Sequence, residues 1–418
     1  MNILVIGSGA REHALADAFA RSPQIHRLIV APGNAGISGS HNVKNLSGAA
    51  ETIRFCREHA IDYVFIGGEQ PIADGLSDAL RGAGIKCIGP SRAAGRIETS
   101  KAFAKDLMQR FSIPTAAFRK ANSRSEAGSA LAEFSYPLVL KADGLAAGKG
   151  VYIAGNPAEA EAAFDTLFSN SDRTEIILEE FLEGWEVSLF AICDGEHFKT
   201  TIFSQDHKQL FDHDMGPNTG GMGAIAPVWE AEPYLQQIES RIISPVLRAM
   251  REENCPFCGI LYCGLMITAQ GPKVLEFNCR WGDPEAQAVL PLLATDLIEI
   301  CRAIDTKEVD KLELKWHDAC SVSVVLASKG YPSEPETGFV ITLPADHRNS
   351  ISFAGVKARE GKLITGGGRV LTVTARGDDR EAARRLAYDI VKQIHFEGMQ
   401  FRTDIGLRSN PPKTMEIQ

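Results

Sequence analysis

No stretch of this chain approaches the roughly 20 consecutive apolar residues that a membrane-spanning helix needs, and no low-complexity tract or fixed-period repeat interrupts it. Positive charge is also scarce. A net charge of −9 lacks the basic footprint of a general nucleic-acid binder, leaving room only for a locally basic pocket. The nine cysteines are odd in number and scattered through apolar surroundings, which argues against a disulfide framework and fits reduced thiols in a cytoplasmic protein. Cys255-Pro256-Phe257-Cys258 is a single CxxC without the second pair a zinc site requires, so its ordinary reading is packing. The first seven residues lack the charged region and long apolar core of a signal peptide and read as a strand.

Two familiar phosphate-binding signatures are incomplete. In Gly7-Ser8-Gly9-Ala10-Arg11-Glu12, a glutamate stands where the dinucleotide fingerprint has its third glycine. The strand, glycine turn and helix N-terminus still offer backbone N–H groups, so both a substrate phosphate beside Arg11 and simple helix capping fit. In Gly144-Leu145-Ala146-Ala147-Gly148-Lys149-Gly150, three residues separate the glycines where a Walker A loop has four, Gly150 replaces Ser/Thr, and Val151-Tyr152-Ile153 continues as a strand. That composition suits a lid over a triphosphate, with Lys141 and Lys149 on its two arms, or a plain hairpin turn with solvated lysines.

What is present is the make-up of an ordinary globular protein: 418 residues, 44% hydrophobic and 23% charged, enough for about three domains at ~150 residues each. Strand-like runs at 3–6, 25–30, 61–66 and 86–88 alternate with helix-like runs at 14–21, 49–59 and 73–84, predicting a parallel sheet covered by helices. Ligands of such sheets lie beyond the carboxyl ends of the strands, on a rim shared by residues 7–9, 32–36 and Gly67-Gly68-Glu69. We place a first domain at 1–100, a second at 101–320 and a third at 321–418.

The second domain opens with a helix-like run, 92–111, carrying Lys101 and Lys105. A buried strand at 175–182 emerges into Glu183-Gly184-Trp185-Glu186, where backbone groups suit an adenine edge and a carboxylate suits ribose hydroxyls. A hairpin at 187–203 turns at Asp194-Gly195. The long loop 204–223 holds metal-ligand types at His207, Asp212, His213 and Asp214, yet Gly216-Pro217-Asn218-Thr219-Gly220-Gly221 favours close backbone approach to a small ligand. After a helix-like run at 234–251 and a strand at 260–268, alternation along 273–278 puts Glu276 and Asn278 on one face. A carboxylate and an amide there suit Mg²⁺, or simply form a polar outer face. Helical patterns follow at 286–302. The third domain has strands at 321–326, 338–343, 351–353 and 369–374, a helix at 378–394, and a turn at Gly366-Gly367-Gly368-Arg369 near the cleft.

Lys105, Lys141, the loop 143–150, the exit at 179–182 and the Glu276/Asn278 strand follow the order of an ATP-grasp ligase. More specifically, the chain resembles the phosphoribosylamine–glycine ligase family, also called glycinamide ribonucleotide synthetases. The motifs are residues 9–15, 31–36, 141–150, Gln205-Asp206-His207-Lys208, 216–223, and Arg280-Trp281-Gly282-Asp283-Pro284-Glu285 within 276–287. The resemblance implies α/β and α+β domains: a Rossmann-like N-terminal parallel sheet, a central ATP-grasp domain and a small C-terminal α+β domain.

The reaction it implies joins glycine to 5-phosphoribosylamine through glycyl phosphate, using ATP with Mg²⁺ or Mn²⁺, in purine biosynthesis. Phosphates would fall to Lys105, Lys141, Gly144, Gly148, Lys149 and Gly150, with Glu179 beside them. Adenine would fall to the backbone of Glu180 and Leu182, ribose to Glu186, and the metal to Glu276 and Asn278. Asp206, Lys208, Arg280 and Asp283 would serve the reacting groups, with Asn218, Thr219, Gly220 and Gly221 around glycine and Gly9, Arg11 and Glu69 facing phosphoribosylamine. No nucleic acid or membrane is implied, and the chain is expected to be a monomer or weak homodimer that receives phosphoribosylamine from an upstream amidotransferase. Another ATP-grasp carboxylate–amine ligase or carboxylase, or a nucleotide-binding regulator without turnover, would share many of these features. Gln209, Met215 and Trp281 depart from the family pattern, and strand 261–266 lacks the carboxylate many ATP-grasp enzymes carry there.

Overall fold

A computed structural model describes residues 1–145, 150–168 and 175–407. The chain begins as β1 (Asn2–Gly7), α1 (Ala10–Ala20), β2 (Arg27–Pro32), β3 (Asn42–Val43), α2 (Gly48–Glu58), β4 (Tyr63–Ile66), α3 (Glu69–Ala73), α4 (Leu76–Gly82) and β5 (Cys87–Ile88). The strands form one parallel sheet in the order β3-β2-β1-β4-β5. Alternation along β1 sorts its apolar residues: Ile3 and Val5 pack with Leu15 and Phe19 of α1, while Leu4 and Ile6 face Phe55 of α2 and Leu80 of α4.

The expected helix at 73–84 is two pieces, because Gly75 takes a left-handed conformation (φ +81°) between them. Similarly, 92–111 divides into α5 (Arg92–Thr99) and α6 (Lys101–Arg110). Ser100 has an extended backbone between them, and its hydroxyl accepts from Phe103 N to cap α6.

Next come β6 (Phe118–Ala121), α7 (Arg124–Ala130), β7 (Leu138–Ala142), β8 (Val151–Ala154), α8 (Pro157–Phe168) and β9 (Ile176–Glu180). These strands form an antiparallel sheet, β6-β9-β7-β8, whose Leu138, Leu140 and Leu178 pack on Phe164 and Leu167 of α8. The chain continues through β10 (Trp185–Asp194), β11 (Phe198–Thr200), β12 (Gln205–Asp206), β13 (Gln209–Phe211), β14 (Met215–Asn218) and β15 (Gly223–Ala226). The run 234–251 contains α9 (Leu235–Ile238) and α10 (Ser244–Glu252), joined by a π-helical segment, Glu239–Ile243. Strands β16 (Cys258–Thr268) and β17 (Gly271–Asn278) then complete a sheet ordered β11-β10-β16-β17.

The pattern at 286–302 is interrupted at Pro291 into α11 (Glu285–Val289) and α12 (Leu297–Thr306), with a 3₁₀ turn between. The last part contains β18 (Cys320–Ala327), β19 (Ile351–Phe353), β20 (Val356–Arg359), β21 (Lys362–Thr365), β22 (Arg369–Gly377) and α13 (Arg380–Val391). The strand expected at 338–343 makes isolated bridges at Val340 and Thr342. One sheet ties this part to the middle of the chain. Its order is β12-β15-β18-β22-β19, with Ala224 opposite Ser323 and Ala226 opposite Ser321. Among the described residues no helix is long and apolar enough to cross a membrane, and all nine cysteines are free.

Candidate functional site

A cleft of about 700 Å³ lies between α5/α6, the β6-β9-β7-β8 sheet and the open face of β17. Its cationic wall is built on one carboxylate. Glu179, 2% exposed on β9, receives Lys105 of α6 at 2.9 Å and Lys141 of β7 at 3.0 Å on the same oxygen, Oε2. Burial works to raise the Glu179 pKa, but the two lysines outweigh it and keep the group ionised. Lys105 is fixed further by donating to Thr115 Oγ1 (2.8 Å), and burial pushes its pKa down to about 8 against the pull of Glu179. Two cations on one anion leave a net positive patch.

The base of the glycine-rich hairpin is tied to that patch. Asp143 accepts from Ser100 Oγ (3.2 Å) and Ala102 N (3.1 Å), and Lys101 donates to the carbonyls of Ala142 and Gly144. Gly144 needs its glycine, with φ +86°. Gly150 lines the cleft, whereas Gly148 and Lys149 lie outside the described residues. At the exit of β9, the Glu180 carboxylate is occupied by Lys273 (3.0 Å) and Ala117 N (3.1 Å), and its N–H donates to Ala117 O (3.0 Å); Glu180, Leu182 and Glu186 all line the cleft.

On β17, Val274 and Phe277 are buried while Glu276 and Asn278 both line the cleft. A register shift opposite Gly264/Leu265 sets Glu276 across from Gly264 and Asn278 across from Tyr262. Gly264 makes the space: a Cβ there would come within 3.2 Å of Glu276 Cγ. Burial tends to raise the Glu276 pKa, and Lys208 and Lys141 hold it below the usual range. Asn278 commits Nδ2 to Phe277 O (2.8 Å), so Oδ1 is the atom it offers a ligand. An ionised carboxylate and an amide oxygen on one face fit a hard divalent cation.

The loop residues His207, Asp212, His213 and Asp214 do not gather. Asp212 accepts from Thr403, Asp214 pairs with buried Arg402 at 2.9 Å, and burial lowers the His207 pKa to about 4. The part of that loop that reaches the cleft is Asp206, Lys208 and residues 218–220. Lys208 lies 3.2 Å from Glu186 and 3.9 Å from Glu276; burial opposes its charge, but these carboxylates raise its pKa. Thr219 folds back onto Lys208 O through both its N–H and its hydroxyl. Gly221 (φ +110°) must be glycine, since a Cβ would lie 2.4 Å from Pro284 Cδ and 2.7 Å from Asp206 Oδ1.

Arg280 is held by two carboxylates, Glu98 of α5 at 2.7 Å and Glu69 of α3 at 3.1 Å. Burial opposes its charge, and Glu98 then Glu69 secure it. Glu98 was not legible as a site residue: it sits in an amphipathic helix and also accepts from Cys279 N at 2.7 Å. Asp283 receives Gln287 (2.7 Å) and Arg369 of β22 (3.3 Å), and Arg369 also donates to Gly220 O (2.6 Å) and Asp283 O (2.7 Å). The glycine-rich turn before Arg369 therefore delivers a cation as well as a bend.

At the first glycine turn, Glu12 folds back on the backbone. Its carboxylate takes Gly9 N–H at 2.6 Å and Arg11 Nε at 2.6 Å, filling space that Cβ atoms on Gly7 and Gly67 would occupy. The Gly9 N–H is thus held by Glu12 in this turn, next to Arg11. Arg11 also donates to Trp281 O (3.2 Å) and lies 3.9 Å from Glu69. Trp281 is a packing residue, 1% exposed, with its ring 4.6 Å from that of Phe190. Met215 is exposed, and Gln209 bonds Asn218 Oδ1 (3.3 Å).

Three family models, described as the N domain, the ATP-grasp (A) domain and the C domain of phosphoribosylglycinamide synthetase, match residues 1–98, 99–286 and 321–408. A phosphoribosylamine–glycine ligase of Ralstonia nicotianae is 43% identical over 98% of this chain and 99% of that protein. The trifunctional purine biosynthetic protein adenosine-3 of Gallus gallus is 43% identical over 97% of this chain, which spans 42% of it. A crystal structure of phosphoribosylamine–glycine ligase from Thermotoga maritima superposes with a TM-score of 0.86 at 34% identity, covering 97% of this chain and all of that one. The biotin carboxylase domain of a Hydrogenobacter thermophilus 2-oxoglutarate carboxylase, solved with MgADP, shares the fold (TM-score 0.72, 16% identity, 96% and 91% coverage).

Proposed function

The chain belongs to the phosphoribosylglycinamide synthetase family, and from that premise we infer that its cleft ligates glycine to 5-phosphoribosylamine, converting ATP to ADP and phosphate. It is an ATP-dependent carbon–nitrogen ligase of purine biosynthesis, and the ATP-grasp fold brings a divalent metal with the nucleotide. One observation carries our reading of the site: the lysine pair on Glu179, the Glu276/Asn278 oxygens and the Arg280/Asp283 loop share a single cleft.

Phosphoryl transfer gains most from positioning and charge neutralisation. Lys105 and Lys141 hold phosphate oxygens, and Gly144, Gly148, Lys149 and Gly150 serve the same phosphates. The backbone of Glu180 and Leu182 meets adenine, and Glu186 the ribose. Glu276 and Asn278 hold Mg²⁺, or Mn²⁺ in its place; when bound, the ion neutralises charge on the phosphates. Lys208, Thr219 and Gly220 position glycine, whose carboxylate takes the γ-phosphoryl group to give glycyl phosphate. Arg280, Asp283, Arg11 and Glu69 orient phosphoribosylamine, whose nitrogen then displaces phosphate.

The test is ADP release measured with glycine and phosphoribosylamine added singly and together. Release that requires both supports the assignment. Release indifferent to glycine, or none above background, would sink it. We further place the protein in the cytoplasm as a monomer or weak homodimer, taking its labile glycosylamine substrate directly from the upstream amidotransferase; light scattering of each protein and of the mixture tests this.

A further inference from the structure

Asp206 sits on β12 at the cleft wall, with Asp283, Glu285, Lys208 and Gly220 among the other residues lining the same space. Its Oδ1 atom is removed from solvent, yet accepts no hydrogen bond from any described residue. A buried carboxylate oxygen without a donor is costly, and nothing in the packing of β12 against β15 requires it. Its neighbour Gly221 has no Cβ to press on it; one would lie 2.7 Å from Oδ1.

Beside it, Glu285 at the start of α11 is 3% exposed and accepts from Ser188 Oγ (3.1 Å), which in turn bonds Tyr262 Oη (3.0 Å). The charged groups facing Asp206 are Glu285 and Glu186, which favour its protonation, and Lys208 and Arg369, which oppose it. Burial is the largest influence, and with Glu285 it lifts the Asp206 pKa well above the usual carboxylate range. A carboxylate with raised proton affinity is what a general base near neutral pH requires.

We propose that Asp206 is the general base of the second half-reaction, accepting through Oδ1 the proton lost by the amine as it attacks the glycyl phosphate. The inference rests on the ligase reading above and goes beyond it in assigning the proton. The amine nitrogen bonds to the carbonyl carbon, the carbon–oxygen bond to phosphate breaks with its electron pair leaving on phosphate, and the N–H proton moves to Asp206. Solvent takes that proton when the product departs, restoring the carboxylate. The first half-reaction, in which an already ionised glycine carboxylate attacks phosphorus, has no proton to remove and makes no use of Asp206.

The two halves are separable experimentally. Glycine-dependent positional isotope exchange in ATP labelled with ¹⁸O at the β,γ-bridge reads glycyl phosphate formation without the amine. In D206N the exchange persists within about threefold of wild type, while formation of glycinamide ribonucleotide falls by roughly 10²–10⁴, the usual contribution of a general base. Loss of both to the same extent, or full turnover within about tenfold of wild type, would overturn the proposal.

A second variant covers a D206N chain that fails to fold. E285Q removes a negative neighbour and lowers the proton affinity of Asp206, so the acid limb of kcat/KM for the amine moves to lower pH. An unmoved limb in a folded E285Q enzyme counts against the assignment. Wild-type enzyme that releases no ADP with glycine and phosphoribosylamine both present would overturn the ligase reading itself, and this proposal with it.

Discussion

At the residue scale, the site is a set of carboxylates assigned to different work by their neighbours. Glu179 is spent on two lysines, Glu98 and Glu69 on Arg280, and Glu12 on a helix N-terminus, whereas Glu276 stays ionised with its face open to the cleft. Glu276→Ala is accordingly expected to lower turnover by at least about a hundredfold while leaving the melting temperature close to wild type, because it removes a metal donor from a strand end and no core contact. Turnover within about tenfold of wild type, ~1.4 kcal/mol of transition-state stabilisation, would remove Glu276 from the metal site.

Lys105 makes a second residue-scale prediction. Burial lowers its pKa to about 8, so it is charged below that pH and loses its charge as pH rises through it. Affinity for ATP should weaken across pH 8 to 9.5, by roughly tenfold if one phosphate contact is lost. Titrating KM for ATP against pH in wild type and K105M checks this: the variant binds more weakly throughout and shows no such limb.

At the scale of elements, α5 is the brace of the catalytic loop. Its Glu98 reaches Arg280 and Cys279 N from 182 and 181 residues away in sequence. Glu98→Ala leaves a buried guanidinium short of a partner, at a cost of about 3 kcal/mol in urea unfolding, and a displaced Arg280 should reduce kcat/KM by about a hundredfold. Wild-type kcat/KM in E98A would show that Arg280 needs only Glu69. The same helix shows where sequence reading stops. The Glu276/Asn278 pair was legible because both residues lie on one strand and period two fixes their common face. The lysines were legible because strand, turn and strand are contiguous. Glu98 was not, because it reaches the site from a helix whose local pattern looks ordinary; Glu285 and Arg369 stood out only as parts of a motif and a turn, without their partners.

Period reading also overlooked small interruptions with large effects on direction. Ser100 divides what reads as one helix into α5 and α6, so that Glu98 and Lys105, both lining the cleft, sit on separate helices. The glycine turn at 7–9 is the strand, turn and helix start that its pattern predicts, with Glu12 folded back on Gly9. The parallel first sheet was plain from βα alternation, whereas the isolated bridges at 340 and 342 replaced a strand that composition alone suggested.

At the scale of the molecule, the last part of the chain is structurally continuous with the middle. β15 hydrogen-bonds to β18, His13 of α1 accepts from Phe353 N at 3.0 Å, and Arg369 clamps Asp283 and Gly220. A fragment ending at residue 320 is therefore expected to lack turnover, to unfold without a sharp transition and to bind ANS, since β15 loses its partner and the buried face of β18 and β22 is missing. Fluorescence-monitored urea titration of the fragment against the full chain checks this; a cooperative, active fragment would contradict it.

That shared sheet also sets a schedule on the ribosome. Between the synthesis of Ala226 at the end of β15 and that of Cys320 at the start of β18, the nascent chain grows by about 94 residues, which takes roughly 5–20 s at 5–20 residues per second. During that interval β15 has an unpaired edge and the Asp283 loop lacks Arg369. The clamp on the Asp283 loop forms only once translation has passed Arg369, after the other residues around the amine are already in the chain.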